Sequence, residues 1–461
     1  MSDDVVPKSR LHVLCFDGTA GEYGSENTNV VKLFALLKKN QPDQLCYYQA
    51  GIGAHFLCSG VVSPVFQWGA KILDEAFAWY LDAHVMDGYR FLMQNYHPGD
   101  KVCLFGFSRG AYTARALAGM LYKIGLLPRG NNQQVTFAYK LYTRTDKASI
   151  SLSAGFKQTY CRPVDIEFLG VWDTVSSVGV VSTKTLPFTS SNSAIKRFRQ
   201  ALSLDERRVR FKPNLYHHDP PDLSGSTAAE VVEAKHSDPD GQTKLSNKSK
   251  PLSGYFRRKK TPYIVPQLVK TKEQTSQSQT DVLEVWFAGC HSDIGGGAVL
   301  NTTKQCLANI PLRWMIQQII ESQCGIQFDE NALMELEIFI SPSSSSSSIP
   351  SNGDNNDKIS ESNDLDSPVS QKSDTADAVK QLHDELVLEP PWWLLEILPM
   401  RTTYQDANCV WHTSYVFNLG RGREIYTQNP HFHITVKERI ADSSLSYKPK
   451  AQWQGTQVYV E

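Results

Sequence analysis

The chain has almost no net charge, no cysteine pairing pattern and no apolar stretch long enough to cross a bilayer. Its 47 Lys and Arg against 48 Asp and Glu leave a formal charge of −1, so the basic footprint of a nucleic-acid binder is missing and no nucleic-acid partner is expected. No uninterrupted apolar run approaches the ~20 residues of a membrane-spanning helix. The amino-terminal MSDDVVPKSR lacks the apolar core of a secretory signal. The nine cysteines are odd in number and include no C-x-x-C pair, which argues against a disulfide framework or a zinc site and for reduced thiols in a cytoplasmic protein. Cys15, Cys103 and Cys290 lie in or beside apolar runs, as small buried thiols do. No internal repeat is visible, and neither a metal nor an organic cofactor is called for.

What is present is organised around residues 101–127, KVCLFGFSRGAYTARALAGMLYKIGLL. A short apolar run leads into Gly106-Phe107-Ser108-Arg109-Gly110, and an Ala- and Leu-rich segment without proline follows. This is the strand, sharp turn and helix of a G-x-S-x-G nucleophile elbow. Gly106 and Gly110 let strand and helix approach closely. Ser108 then stands at a helix N-terminus, where the N–H of Arg109 and the helix dipole favour developing negative charge. A tight turn with an incidental serine is the plain alternative.

Around it, strands are expected at 11–16, 45–50, 164–172 and 282–289. Helices are expected near 29–39, capped by Thr28 or Asn29, and at 74–96, 133–143, 194–204 and 310–320, with Pro311 in the first turn of the last. Strands alternating with helices call for a parallel sheet with right-handed crossovers. Residues 217–280 turn polar and rich in Pro, Ser and Lys, and read as an insertion that is disordered or part of a cap. Its basic run Arg257-Arg258-Lys259-Lys260 reads as a solvated loop, with an acidic partner surface or a nuclear address as alternatives. Residues 341–378 are low in complexity and read as disordered. Folded character resumes with Pro390-Pro391-Trp392-Trp393-Leu394-Leu395 and a strand-like 431–436. The tryptophan pair is either core or an apolar edge that meets a lipid surface.

A serine nucleophile needs a base and an acid that orients the base, and in α/β-hydrolases these follow in the order serine, acid, histidine. Asp173 and His291 each follow a predicted strand, where a parallel sheet delivers functional groups to one edge. Asp17-Gly18-Thr19 follows the first strand, so an N–H from Gly18 or Thr19 together with that of Arg109 would form an oxyanion hole. Other roles stay open. Asp173 suits a helix cap, Asp17-Gly18 suits a turn, and His291 suits a structural partner of Asp293. Asp17 also suits the nucleophile of a phosphotransferase, which would leave the elbow without a use. His433, late in the chain, competes with His291 for the role of base.

The segments LHVLCFDGTAGEYG, YQAGIG, FGFSRGAYTARALAGML, GVWDTVSSVG, ALSLDERRVRF and FAGCHSDIGGG occur in that order. Together with the terminal NLGRGREIYTQNPHFHITVKERI they resemble the catalytic domain shared by type VI secretion phospholipase effectors and many fungal and bacterial proteins. The resemblance implies an α/β-hydrolase fold and, on the matching positions, a Ser108–Asp173–His291 triad acting on lipid esters. The expected architecture is one α/β-hydrolase-like domain over 8–461, a mainly parallel sheet with helices on both faces. The expected activity is hydrolysis of a carboxylic ester, of a phospholipid, another acyl lipid or a small ester, with peripheral membrane contact. A non-catalytic interaction protein on a hydrolase scaffold is the alternative from another class.

Overall fold

The computed structural model describes residues 9–19, 21–51, 66–175, 186–217, 279–335 and 369–461, with the backbone alone for 66–80 and 369–372. The basic run, residues 341–368 and nearly all of the 217–280 insertion lie outside these.

In chain order the first half contains β1 (Leu11–Phe16), α1 (Asn29–Leu36), β2 (Gln44–Gln49), α2 (Phe66–Asn95), β3 (Lys101–Phe107) and α3 (Ser108–Ile124). There follow α4 (Asn132–Thr143), α5 (Lys147–Tyr160), β4 (Ile166–Trp172), β5 (Ile195–Ser203), β6 (Asp281–Phe287), α6 (His291–Gly295) and α7 (Asn309–Ser322). The last part holds α8 (Val369–Ala378), the antiparallel pair β7 (Pro399–Gln405) and β8 (Trp411–Phe417), β9 (Glu424–Ile425), β10 (His431–His433), α9 (Ile434–Ala441), β11 (Gln452–Trp453) and β12 (Val458–Val460).

Eight strands form one sheet in the order β12-β10-β6-β5-β4-β3-β1-β2, and each neighbouring pair is parallel. A parallel sheet covered on both faces needs continuously apolar strands. All of β1 and β4, and all of β3 after Lys101, are buried. One face packs against α2 to α5, through residues such as Leu81, Val85, Tyr89, Leu117 and Tyr142. The other packs against α1 and α7, through Val30, Leu33, Phe105, Phe168, Trp172 and Met315. A third cluster joins Leu202, Leu204 and Trp286 to Phe432, Val436 and Ala451 of the C-terminal segment. The fold is α/β, of the α/β-hydrolase kind.

Three expectations need correction. Residues 194–204 are not a helix but the strand β5, near the middle of the sheet. Its Lys196, Arg199 and Gln200 read as helix-forming surface residues. They are instead bonded across the sheet, Lys196 to Glu167 at 2.7 Å, Arg199 to Asp281 at 2.7 Å and Gln200 to Glu284 at 2.8 Å. Tertiary partners thus override local propensity. Within 341–378, the stretch Val369–Ala378 is helix α8. Asp374 and Asp377 on it receive hydrogen bonds from the largely buried Arg313 of α7, both at 2.6 Å. The 431–436 strand is also shorter than expected. It ends at His433, which caps α9.

Candidate active site

The turn between β3 and α3 brings Ser108 to the carboxyl edge of the sheet. Its φ of 57° is left-handed, a conformation that costs a non-glycine residue on the order of 1–3 kcal/mol and persists only where the surroundings enforce it. Glycines make that turn possible. A Cβ on Gly106 would stand 2.6 Å from the Gly110 carbonyl, and one on Gly110 would stand 2.2 Å from the Phe16 oxygen.

Asp173 lies just past β4, fully buried and also left-handed, with φ 40°. His291 lies just past β6 as the first residue of α6. Its Nδ1 is 2.5 Å from Asp173 Oδ2 and its Nε2 is 2.8 Å from Ser108 Oγ. The imidazole is held between the Phe107 ring, 4.6 Å away, and the Phe211 ring, 4.8 Å away and edge-on. Serine, histidine and aspartate therefore form one continuous hydrogen-bonded line across three strand ends.

The surrounding charges define its resting state. Burial alone would raise the Asp173 carboxyl. The Arg423 guanidinium and the hydrogen bonds from His291 and Arg423 outweigh it and hold the group well below the usual carboxylate range. Burial lowers His291, and the bond to Asp173 opposes that only in part. At neutral pH the imidazole is thus uncharged, with Nδ1–H donating to Asp173 and Nε2 free to accept from Ser108.

The loop after β1 lies against the elbow. A Cβ on Gly18 would come 2.8 Å from the Phe107 ring. Asp17 accepts from the Gly18 N–H at 2.7 Å, from Thr28 Oγ1 at 2.8 Å and from the Tyr48 hydroxyl at 2.7 Å. Its carboxylate is therefore committed to shaping the loop. The Gly18 N–H is thereby engaged by the Asp17 carboxylate. The Arg109 side chain is half-buried, and its desolvation pushes the guanidinium down to about 10.

Asp293 does not touch the His291 ring. It accepts from the backbone N–H groups of Cys290 and His383, each at 2.9 Å, and its Oδ1 is 2.7 Å from His383 Nδ1. His433 is buried elsewhere, stacked 4.8 Å from Phe287 with Nδ1 on Thr435, and burial and Arg313 push it down to about 3.

Sequence reasoning assigned no role to Arg423, Ser203, Glu206 or His383. Ser203 donates its N–H to Asp173 Oδ1 at 3.0 Å, and Glu206 Oε2 accepts from the His291 N–H at 3.3 Å. For Ser203, Glu206 and Arg423 the available signal was their place inside ALSLDERRVRF and NLGRGRE; His383 carried none. Among the described residues no group of three His, Cys, Asp or Glu is arranged to hold a metal ion, and no described helix is long and apolar enough to cross a membrane.

Residues 10–318 match the family described as T6SS, phospholipase effector Tle1-like, catalytic domain. The uncharacterized protein YEL023C of Saccharomyces cerevisiae is 28% identical over 523 residues, covering 90% of this chain and 76% of the relative. Similar solved structures include an uncharacterized protein from Pseudomonas aeruginosa, at 17% identity and TM-score 0.36, covering 72% of this chain and 48% of that one. Another is the Tle1 effector bound to the VgrG spike of the type 6 secretion system, at 15% and 0.26, covering 63% and 51%. The chain spans about half the length of these solved proteins. By the match over 10–318, which takes in Ser108, Asp173 and His291, this chain belongs to the Tle1-like phospholipase effector catalytic-domain family.

Proposed function

We propose that this protein is a serine hydrolase that cleaves carboxylic esters of phospholipids or other acyl lipids. The observation that carries the reading is the Ser108–His291–Asp173 line, with links of 2.8 and 2.5 Å. Ser108 Oγ attacks the ester carbonyl while His291 Nε2 takes its proton, and ionised Asp173 stabilises the resulting imidazolium. The N–H groups of Arg109 and Thr19 receive the oxyanion of the tetrahedral intermediate. The ester C–O bond breaks, the alcohol leaves with the proton from His291, and an acyl-serine remains. Water, deprotonated by His291, then attacks that acyl group, releasing the fatty acid and restoring Ser108.

The lipid part of the reading draws on the family and on an apolar edge beside the site. Val387, Leu388, Leu394 and Ile397 are each more than half exposed. The neighbouring Trp392 ring is 5.5 Å from Phe211, the ring that packs on His291. An exposed apolar edge continuous with the catalytic histidine suits an enzyme whose substrate lies in a lipid surface. The cytoplasm is the compartment of this reading, since the eight described cysteines are all free thiols.

Labelling by a fluorophosphonate probe tests the chemistry. Wild-type protein is expected to be labelled at Ser108 and to hydrolyse a short ester. Unlabelled, inactive wild-type protein would overturn the proposal and favour an interaction protein on a hydrolase scaffold.

A further inference from the structure

We propose that Arg423 is a positioning residue of the catalytic site: its guanidinium fork grips both oxygens of Asp173, aims the carboxylate at His291 and offsets its charge. The inference rests on the serine-hydrolase reading above and extends it beyond residues 10–318, the part of the chain that the family match covers.

Arg423 is 2% exposed. Its Nη1 donates to Asp173 Oδ1 at 2.6 Å and to the Ser203 carbonyl at 3.0 Å. Its Nη2 donates to Asp173 Oδ2 at 2.9 Å and to the Phe211 carbonyl at 2.6 Å. Asp173 Oδ1 also accepts from the Ser203 N–H, and Oδ2 also meets His291 Nδ1. A carboxylate has about four acceptor positions, and here all are engaged. Rotation of the carboxylate would break at least two bonds to a planar, rigid donor, so Oδ2 stays on the imidazole.

The charge matters as much as the geometry. Asp173 and Arg423 form one buried pair, Glu206 and Arg208 another at 2.8 Å beside the His291 backbone. Lys212 lies near Arg423, while Asp205 holds Gly289 and Lys450, and Asp293 holds His383. The two pairs nearest the imidazole are each close to neutral in sum, so neutral His291 is the resting form and a proton added there leaves a net positive site. Removing the Arg423 charge makes that proton easier to add, whether it resides on His291 or on Asp173. The acid limb of the activity profile then moves to higher pH.

The test compares R423Q, R423K and S108A with wild type on a short soluble ester across pH. R423Q is expected to lose roughly 100-fold or more in kcat at neutral pH, within the ~10⁴-fold that misorienting a triad acid costs, with KM little changed and the acid limb raised by about one pH unit. R423K keeps a charge but not the fork, so its limb is expected near that of wild type while kcat falls roughly 10-fold. D384N breaks the partly buried pair that Asp384, in the C-terminal segment, forms with Arg207. It is expected to lower the melting temperature without moving the limb, and a limb shift in D384N would show that packing alone moves it and overturn the inference. A folded R423Q with the wild-type limb and kcat within twofold also overturns it. If R423Q does not fold, R423K decides, and wild-type kcat there overturns the positioning role. Activity retained by S108A would instead bring down the serine-hydrolase reading itself; an inactive S108A beside an unaffected R423Q brings down this inference alone.

Discussion

Ser108 Oγ lies 2.8 Å from His291 Nε2 although the two residues are 183 positions apart in the chain. Because the serine hydroxyl makes this contact and fills little space, Ser108→Ala is expected to abolish hydrolysis and probe labelling by several orders of magnitude. Its melting temperature should stay within a degree or two of wild type. Rate assays beside thermal unfolding check this, and an active Ala variant excludes Ser108 as nucleophile.

His291 and His433 separate cleanly by experiment. His291→Ala is expected to be inactive and folded. His433→Ala is expected to lose stability with its stacking on Phe287, yet to keep its rate per folded molecule. Both histidines also make predictions for the acid side of a pH study. Burial lowers His291 below its ordinary 6.5, so kcat/KM should hold steady as pH falls through 6.5 and drop only further into acid. For His433, held down to about 3 in the fold, the unfolded chain binds the extra proton between about 6.5 and 3. Folding stability is therefore present above 6.5 and falls with pH across that window, by an amount on the order of a few kcal/mol. His433→Gln should flatten that decline in denaturant titrations, and an unchanged slope would count against its burial as a neutral ring.

Truncation should reveal a sharp boundary near residue 369. Removing 341–368 is expected to leave unfolding and catalysis unchanged, given a composition that buries little apolar surface. Extending the deletion through Ala378 strips Asp374 and Asp377 from Arg313, and an unpaired buried charge costs roughly 3–5 kcal/mol. Equal melting temperatures for the two deletions would show that α8 does not anchor α7.

The apolar edge is tested by comparing substrates. Leu394→Asp and Trp393→Ala are expected to lower the rate on phospholipid vesicles by about 10-fold or more, since interfacial binding scales with buried apolar area. The rate on a short soluble ester should hardly change. Equal losses on both substrates would mean that the edge serves packing or folding instead.

The parts of the site that announce themselves in sequence are those built from local backbone geometry. The elbow is written in Gly106, Ser108 and Gly110 because steric contact dictates glycine at both flanks. Asp173 and His291 follow apolar strands, and chain order suggests the roles proposed for them. The strand at 195–203 was hidden because its polar residues find partners on β4, β6 and α7, remote in sequence. Arg423 was hidden for the same reason. An arginine in a glycine-rich segment looks like a surface loop until folding brings a carboxylate from 250 positions earlier against it. His433 competes with His291 in the sequence, since its late position resembles that of a hydrolase base, while in the fold its ring stacks on Phe287.

The pairing of β10 with β6 and of β12 with β10 has a consequence for synthesis. The strands β1 to β6 leave the ribosome well before residues 431–460 do. Until those residues arrive, the outer edge of β6 presents unpaired N–H and C=O groups beside the apolar Trp286, an open template for another chain. Ribosome-bound chains stopped between residues 320 and 420 should therefore be more dependent on chaperones than the finished protein. Residues 431–460 are the ones that cover this edge of β6.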